Sequence, residues 1–543
     1  MKSFTISGQL IDILAKETYP CTIQVENGVI SSVQRTESAD PYFIIPGFID
    51  AHVHVESSML VPSEFARLAV VHGTVATVSD PHEIGNVLGT EGVKYMIENG
   101  RKTPFKFAFG APSCVPATTF ETAGATIDAE GVRDLLEMEE IRYLAEMMNW
   151  PGVLYGDEEV YKKIAAAKEL GKPVDGHAPG LKGEQAKKYI EAGISTDHEC
   201  FTAEEALDKL KYGMKILIRE GSAARNFEAL ADLLHEHYDS MMLCSDDKHP
   251  DNLVEGHINT LCARAVAKGI DSYKVLQAAC INPATHYNLP VGLLKKGDPA
   301  DFVMLHDLES FRVHKTYIDG DLVAEEGKTL IPRVDNEIIN HFSCELKSPD
   351  DFSIKASGQT LNVIEAMDGQ LITNRLQEPP RIENGLVIAD TDRDILKLTV
   401  VNRYQDADPA ISFIRNFGLK NGALASCVGH DSHNIIAVGC DDEAIAQAVN
   451  LVIKNKGGIS AVGRDEEMVL PLPVAGIMSA DDGYEVARQY SAIDKFSKSL
   501  GSELESPFMT LSFMALLVIP SVKLSDKGLF DGDKFAFIEP FAS

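Results

Sequence analysis

The chain has 543 residues, 45% of them hydrophobic, which exceeds a single core and predicts two to four domains. Its net charge of −31 argues against nucleic acid or an anionic membrane as partner, because phosphate binding needs basic surface. A small neutral or cationic substrate fits better than a polymer. The nine cysteines (21, 114, 200, 244, 262, 280, 344, 427 and 440) are scattered without a CxxC and read as free thiols of a reducing cytosol. The N-terminus has no apolar leader core, and no run of 18 apolar residues occurs, so a soluble cytoplasmic protein is expected.

Residues 1–45 read as short β runs, Ser3 to Leu10, Thr22 to Glu26 and Val29 to Gln34, with a hairpin signal at Asn27-Gly28. A matching set follows Gly297 to Leu305, with Arg312 to Ile318, Asp319-Gly320 and Leu322 to Ala324. Residues 1–45 plus 288–335 are therefore expected to form one small β domain built from both flanks of an intervening domain. Within 46–287, strand-like segments alternate with helical ones. The strands are Phe43 to Asp50, Thr74 to Asp80, Phe105 to Ala111, Ile141 to Glu146, Pro173 to His177, Ile194 to His198, Met214 to Ile218 and Met241 to Asp246. The helices include Ser63 to His72, Ala129 to Glu139, Glu158 to Leu170 and Glu184 to Ala192. This size and alternation predict a (β/α)8 barrel, with a doubly wound sheet as the alternative. Residues 336–543 read as an additional α/β C-terminal domain, with strands Leu386 to Ile388, Leu396 to Val400 and Ile435 to Val438 and a helix near Glu443 to Lys454. Ser512 to Val518 reads as core.

The chemistry starts from His52 and His54. Two imidazoles one residue apart at the end of a buried strand point to the same face and converge on one ion. Asp80, Glu146, His177, His198 and Asp246 also close predicted strands, the end at which such barrels carry their active sites. Four histidines with Glu146 and Asp246 are more ligands than one ion needs, which points to two divalent ions bridged by a carboxylate such as Glu146. A hydroxide between two ions would be nucleophilic near neutral pH, and Asp246 could both bind metal and accept its proton. The reaction class is hydrolysis at an electrophilic carbon. Zinc, manganese and iron(II) all suit this donor set.

The segment Pro46-Gly-Phe-Ile-Asp-Ala-His-Val-His54, the later strand-end histidines, Ser245-Asp246 and Gly292-Leu-Leu-Lys-Lys-Gly-Asp-Pro-Ala-Asp301 resemble the amidohydrolase superfamily. Within it, Val55-Glu-Ser-Ser58, Val78-Ser-Asp-Pro-His-Glu-Ile84, Leu144 to Gly152, Asp175-Gly-His-Ala-Pro-Gly180 and Cys244-Ser-Asp-Asp247 resemble the adenine deaminase family. Val428-Gly-His-Asp-Ser-His-Asn434 and Lys523-Leu-Ser-Asp-Lys-Gly-Leu529 extend the resemblance into the C-terminal domain. It implies hydrolysis of adenine to hypoxanthine and ammonia, by a metal-bridging hydroxide attacking C6. It also implies His52, His54, Glu146, His177, His198 and Asp246 as metal ligands, with Asp247 a lesser alternative to Asp246. Some superfamily relatives bridge their metals with a carboxylated lysine; here strand four ends in Glu146, and Lys162 and Lys163 read as solvated. Of Asp80, His82 and Glu83, Glu83 with His82 nearby is preferred as acid/base facing the purine, a polar turn being the plainer reading.

Several alternatives stay open. Arg219 to Ser222 reads equally as a substrate-binding segment or a surface turn. The His430-Asp-Ser-His433 loop reads as a structural turn, or as one that binds a further metal or closes over the barrel mouth. A hydantoinase- or dihydropyrimidinase-like hydrolase and a non-catalytic barrel scaffold are the rival functions. A homodimer is the common expectation for such a chain.

Overall fold

A computed structural model describes residues 3–542. Eight parallel strands form the barrel: Phe48–Val53, Thr74–Ser79, Lys106–Ala111, Ile141–Met147, Val174–Gly176, Thr196–Asp197, Lys215–Arg219 and Met241–Cys244. The first five and last three hydrogen-bond as separate runs, joined by parallel bridges at Val174–Ile194 and Val53–Asp246. The strands are buried, β-branched and short, and helices such as Pro62–Ala69, Glu158–Glu169 and Gly183–Glu191 cover them outside.

The predicted first strand, starting at Phe43, is in fact two. Phe43–Pro46 pairs parallel to Gln9 and Leu10 and antiparallel to Phe302–Leu305, so it belongs to the outer sheet. The barrel begins only at Phe48. Gly47 makes the crossing possible, because a Cβ there would lie 2.2 Å from Val75 Cγ2. The outer sheet joins Ser3–Asp12, Glu17–Glu26 and Val29–Arg35 to Phe302–Leu305, Val313–Ile318, Asp321–Glu325 and Lys328–Thr329. Both hairpin tips have positive φ, at Asn27, Gly28, Asp319 and Gly320, as Asn-Gly and Asp-Gly turns require.

The C-terminal region is β-rich. An eight-stranded, mostly antiparallel sheet includes Leu396–Val401, Ala410–Arg415, Ala423–Ser426, Ile435–Gly439 and Ile459–Val462, with the helix Asp442–Lys454 packed on it. A three-stranded sheet, Val522–Ser525, Gly528–Asp531 and Ala536–Phe537, reaches the loop after the third barrel strand. There Thr122 N donates to Asp526 Oδ1 at 2.9 Å, and Phe120 packs on Phe530. Barrel and C-terminal region share one continuous apolar core. No helix among the described residues is long and apolar enough to cross a membrane.

Candidate active site

The site is anchored from below by Asp50, which accepts hydrogen bonds from His52 N (3.3 Å), Ser245 N (3.0 Å), Ser245 Oγ and His257 Nε2 (2.8 Å). This buried carboxylate ties the first strand to the last where the barrel closes. Just above it, Asp246 N donates to His52 O at 2.9 Å and His54 N to Asp246 O at 3.3 Å. Asp246 adopts φ +55°, a left-handed conformation that costs a non-glycine residue about 1–2 kcal/mol and that the closure bonds impose. His52, His54 and Asp246 are thereby aimed at one point.

All six expected ligands come together there, buried at the C-terminal ends of the strands. His52 Nε2 and His54 Nε2 lie 3.2 Å apart, and Asp246 Oδ1 is 3.6 Å from the first and 3.3 Å from the second. Glu146 stands in the middle: Oε1 is 3.4 Å from His54 Nε2, while Oε2 is 2.9 Å from His177 Nδ1 and 3.2 Å from His198 Nε2. Each Glu146 oxygen thus serves a different group of imidazoles. Burial opposes charge on Glu146, but His177 and His198 hold its carboxyl well below the usual range. Tyr189 fixes His177, accepting from its N at 3.1 Å while donating to Met147 O at 2.7 Å.

These residues fit divalent ions. Bonds of 2.0–2.2 Å place neighbouring donors roughly 3–3.5 Å apart, the spacing seen across the cluster. His177 Nε2, buried, has no hydrogen-bond partner among the described residues. Four imidazoles facing carboxylates, without a thiolate, make a borderline-hard donor set.

Asp80 and His82 sit beside this cluster. His82 lines the cavity, with Nδ1 3.2 Å from Asp80 Oδ2 and 3.5 Å from Glu146 Oε1, and Nε2 3.3 Å from Asp431 Oδ1. Glu83 stands behind it at 3.7 Å. The His430–His433 loop of the C-terminal region grips Glu83: His433 Nε2 lies 2.7 Å from Oε2, Asp431 N donates to the same oxygen at 3.0 Å, and His430 Nδ1 is 3.4 Å from Oε1. Burial resists its ionisation, yet His433 and His82 keep Glu83 well below the usual carboxylate range. The loop therefore packs against the barrel mouth. Asp247 lines the same cavity, accepting from Ser57 Oγ at 2.5 Å and lying 3.6 Å from His430 Nδ1.

Two residues were read differently from the sequence. Arg219 is neither a surface turn nor a free substrate group. Although it lies along the cavity wall, its buried guanidinium donates to both oxygens of Glu199 and to Asp246 Oδ2 at 2.6 Å. Lys163 is not solvated, unlike Lys162, because its helix turns it inward to donate to Ser113 O and Ile127 O at 2.9 Å. Leu516 lies in the core as expected, with Val518 packed against it, and both also line the cavity with Leu371 as an apolar roof.

Glu199 was missed. Its Oε1 is 3.5 Å from His177 Nδ1 and 3.4 Å from His198 Nε2. An acidic residue following His198 carries no local signal; only its partner Arg219, one strand later, reveals it.

The amidohydrolase family model matches residues 43–323, and the adenine deaminase C-terminal domain model matches residues 370–536. The chain is 54% identical over 542 residues to the adenine deaminase of Salinibacter ruber, covering 99% of both proteins. It is 56% identical over 530 residues to that of Sulfurovum sp., covering 97% of this chain and 98% of the relative. The adenine deaminase of Methanosarcina barkeri is 52% identical over 547 residues, with 99% of each covered. A metal-dependent hydrolase by fold and cluster, this chain belongs to the adenine deaminases of the amidohydrolase family.

Proposed function

We propose that this chain hydrolyses adenine to hypoxanthine and ammonia at the barrel mouth, with His52, His54, Glu146, His177, His198 and Asp246 holding two divalent ions. The observation that carries the reading is Glu146, whose two oxygens face separate sets of histidines as a bridging carboxylate would. Its relatives' shared name supplies the substrate. Manganese, iron(II) and zinc all suit the donors. Bound divalent ions lower the pKa of a coordinated water from about 15.7 towards 7.

The protein's own groups then manage position and protons. Arg219 pins Asp246 Oδ2, which leaves Oδ1 directed at the histidine cluster to accept the proton of the attacking water. Asp80, His82 and Glu83 form a chain from the cavity to the C-terminal loop, with His82 placed to donate towards a purine ring nitrogen and make C6 more electrophilic. Water adds at C6, the amino group leaves as ammonia with the transferred proton, and the C6 carbonyl of hypoxanthine remains. Met148, Leu371, Leu516 and Val518 give the flat base an apolar enclosure.

The test is direct. Protein purified with manganese or with reduced iron is given adenine, and the absorbance change to hypoxanthine is followed with ammonia release. Turnover of adenine is expected, and hydrolysis of a dihydropyrimidine without it would refute the proposal.

A further inference from the structure

A second cluster of metal-ligating side chains lies on the outer sheet, built from residues that the active site does not use. His306 follows strand Phe302–Leu305, His314 lies in Val313–Ile318, and Glu326 follows Asp321–Glu325. These three strands are neighbours, so residues distant in sequence meet at one place. Glu326 Oε1 is 3.0 Å from His306 Nε2 and 2.8 Å from His314 Nδ1. Glu326 adopts φ +46°, and its N donates to His314 O at 2.9 Å, which turns the carboxylate towards the imidazoles. Tyr42 fixes the rings: it stacks on His314 at 4.0 Å and meets His306 edge-on at 5.4 Å.

We propose that His306, His314 and Glu326 bind a divalent transition-metal ion such as zinc or nickel. Two imidazole nitrogens and one carboxylate oxygen within 4.8 Å of one another make a three-ligand set with no thiolate. A tetrahedral ion with bonds of about 2.0–2.1 Å needs its ligands about 3.3 Å apart. The observed spacings must open by only a few tenths of an ångström, and Glu326, its side chain 49% exposed, is free to move that far. The ion would replace the protons now shared with Oε1. Solvent supplies the fourth ligand, because the cluster opens outward. No strand of the barrel mouth contributes to it, so this ion is additional to those of the active site.

The experiment counts metal. Holoenzyme already loaded at the barrel mouth with manganese is dialysed against zinc or nickel chloride, and bound metal is measured by atomic emission. The parent is compared with His314→Ala and Glu326→Gln, and thermal midpoints are recorded with and without nickel. The parent is expected to hold one zinc or nickel more than either variant, and nickel is expected to raise only the parent's midpoint. Glu326→Gln keeps a hydrogen-bond acceptor, so losing the ion with an unchanged metal-free midpoint identifies a ligand. Equal metal content in parent and both variants would overturn the proposal.

Discussion

Arg219→Met offers a sharp test of how the site is held together. Arg219 is buried and donates to Glu199 Oε2 at 2.9 Å and Asp246 Oδ2 at 2.6 Å, so one guanidinium neutralises two buried carboxylates. Burial works against charge on Asp246, but Arg219 and the neighbouring histidines hold its carboxyl well below the usual range. Removing one member of a buried ion pair costs about 3–5 kcal/mol, and stranding two carboxylates places this change at about 5. For a barrel of this size, each kcal/mol moves the thermal midpoint by about 2–4 °C, so a fall on the order of 10 °C or more is expected. The assay is thermal unfolding of chelator-treated protein, where no ion compensates Asp246. In metal-loaded protein the fall should be smaller, while metal affinity drops by roughly 10–100-fold, because Asp246 loses the partner that orients it. Arg219→Lys should recover only part of the loss, since an ammonium cannot span both carboxylates. A midpoint within 2 °C of the parent in Arg219→Met would refute this account.

Three further outcomes are expected. Glu146→Gln should lose both bound metal, measured by atomic emission, and adenine turnover, because it removes the carboxylate between the two histidine sets; retained metal would rule out the bridge. Glu83→Gln should keep its metal and lose about 10²–10⁴-fold in kcat, the range for a proton-handling group, and steady-state kinetics with metal analysis separate it from Glu146. Lys523 is buried, donates to Leu371 O at 2.5 Å and is pushed down to about 7 by burial, so it is largely neutral in the folded chain above that pH and charged in the unfolded one. The unfolded state therefore binds the extra proton, and this group's cost to folding shrinks as pH rises from 7 towards 10. The stability of parent relative to Lys523→Met should accordingly improve by about 3 kcal/mol across that range, read from unfolding at each pH.

The barrel was legible because its signals are local. Eight short apolar runs separated by helical periodicity, with His52, His54, Glu146, His177, His198 and Asp246 at their ends, turn sequence spacing into spatial convergence once the strands are parallel. The split at Gly47 was missed although Pro46-Gly47 interrupts the run from Phe43 to Ile49, because apolar residues on both sides read as one strand; the close approach of Val75 shows that the chain changes sheets there. The residues that escaped notice share a different property. Glu199 gains its place from Arg219, Lys163 from the carbonyls of Ser113 and Ile127, and Leu516 from a roof it builds with Leu371. Each is an ordinary residue type in an ordinary local pattern, given meaning by a partner 20 or more residues away. The strand-end rule reaches groups that point into the barrel mouth from the strands themselves. It says nothing about what descends on that mouth from elsewhere, and here that is the His430–His433 loop, which meets Glu83 across 348 residues of chain. Since Glu83 contacts His433, Asp431 and His430 together, the barrel alone supplies the ligands but leaves this carboxylate without the groups that hold it. The C-terminal region therefore completes the surroundings of Glu83, and a barrel cut off before residue 336 should retain the six proposed ligands while losing that setting.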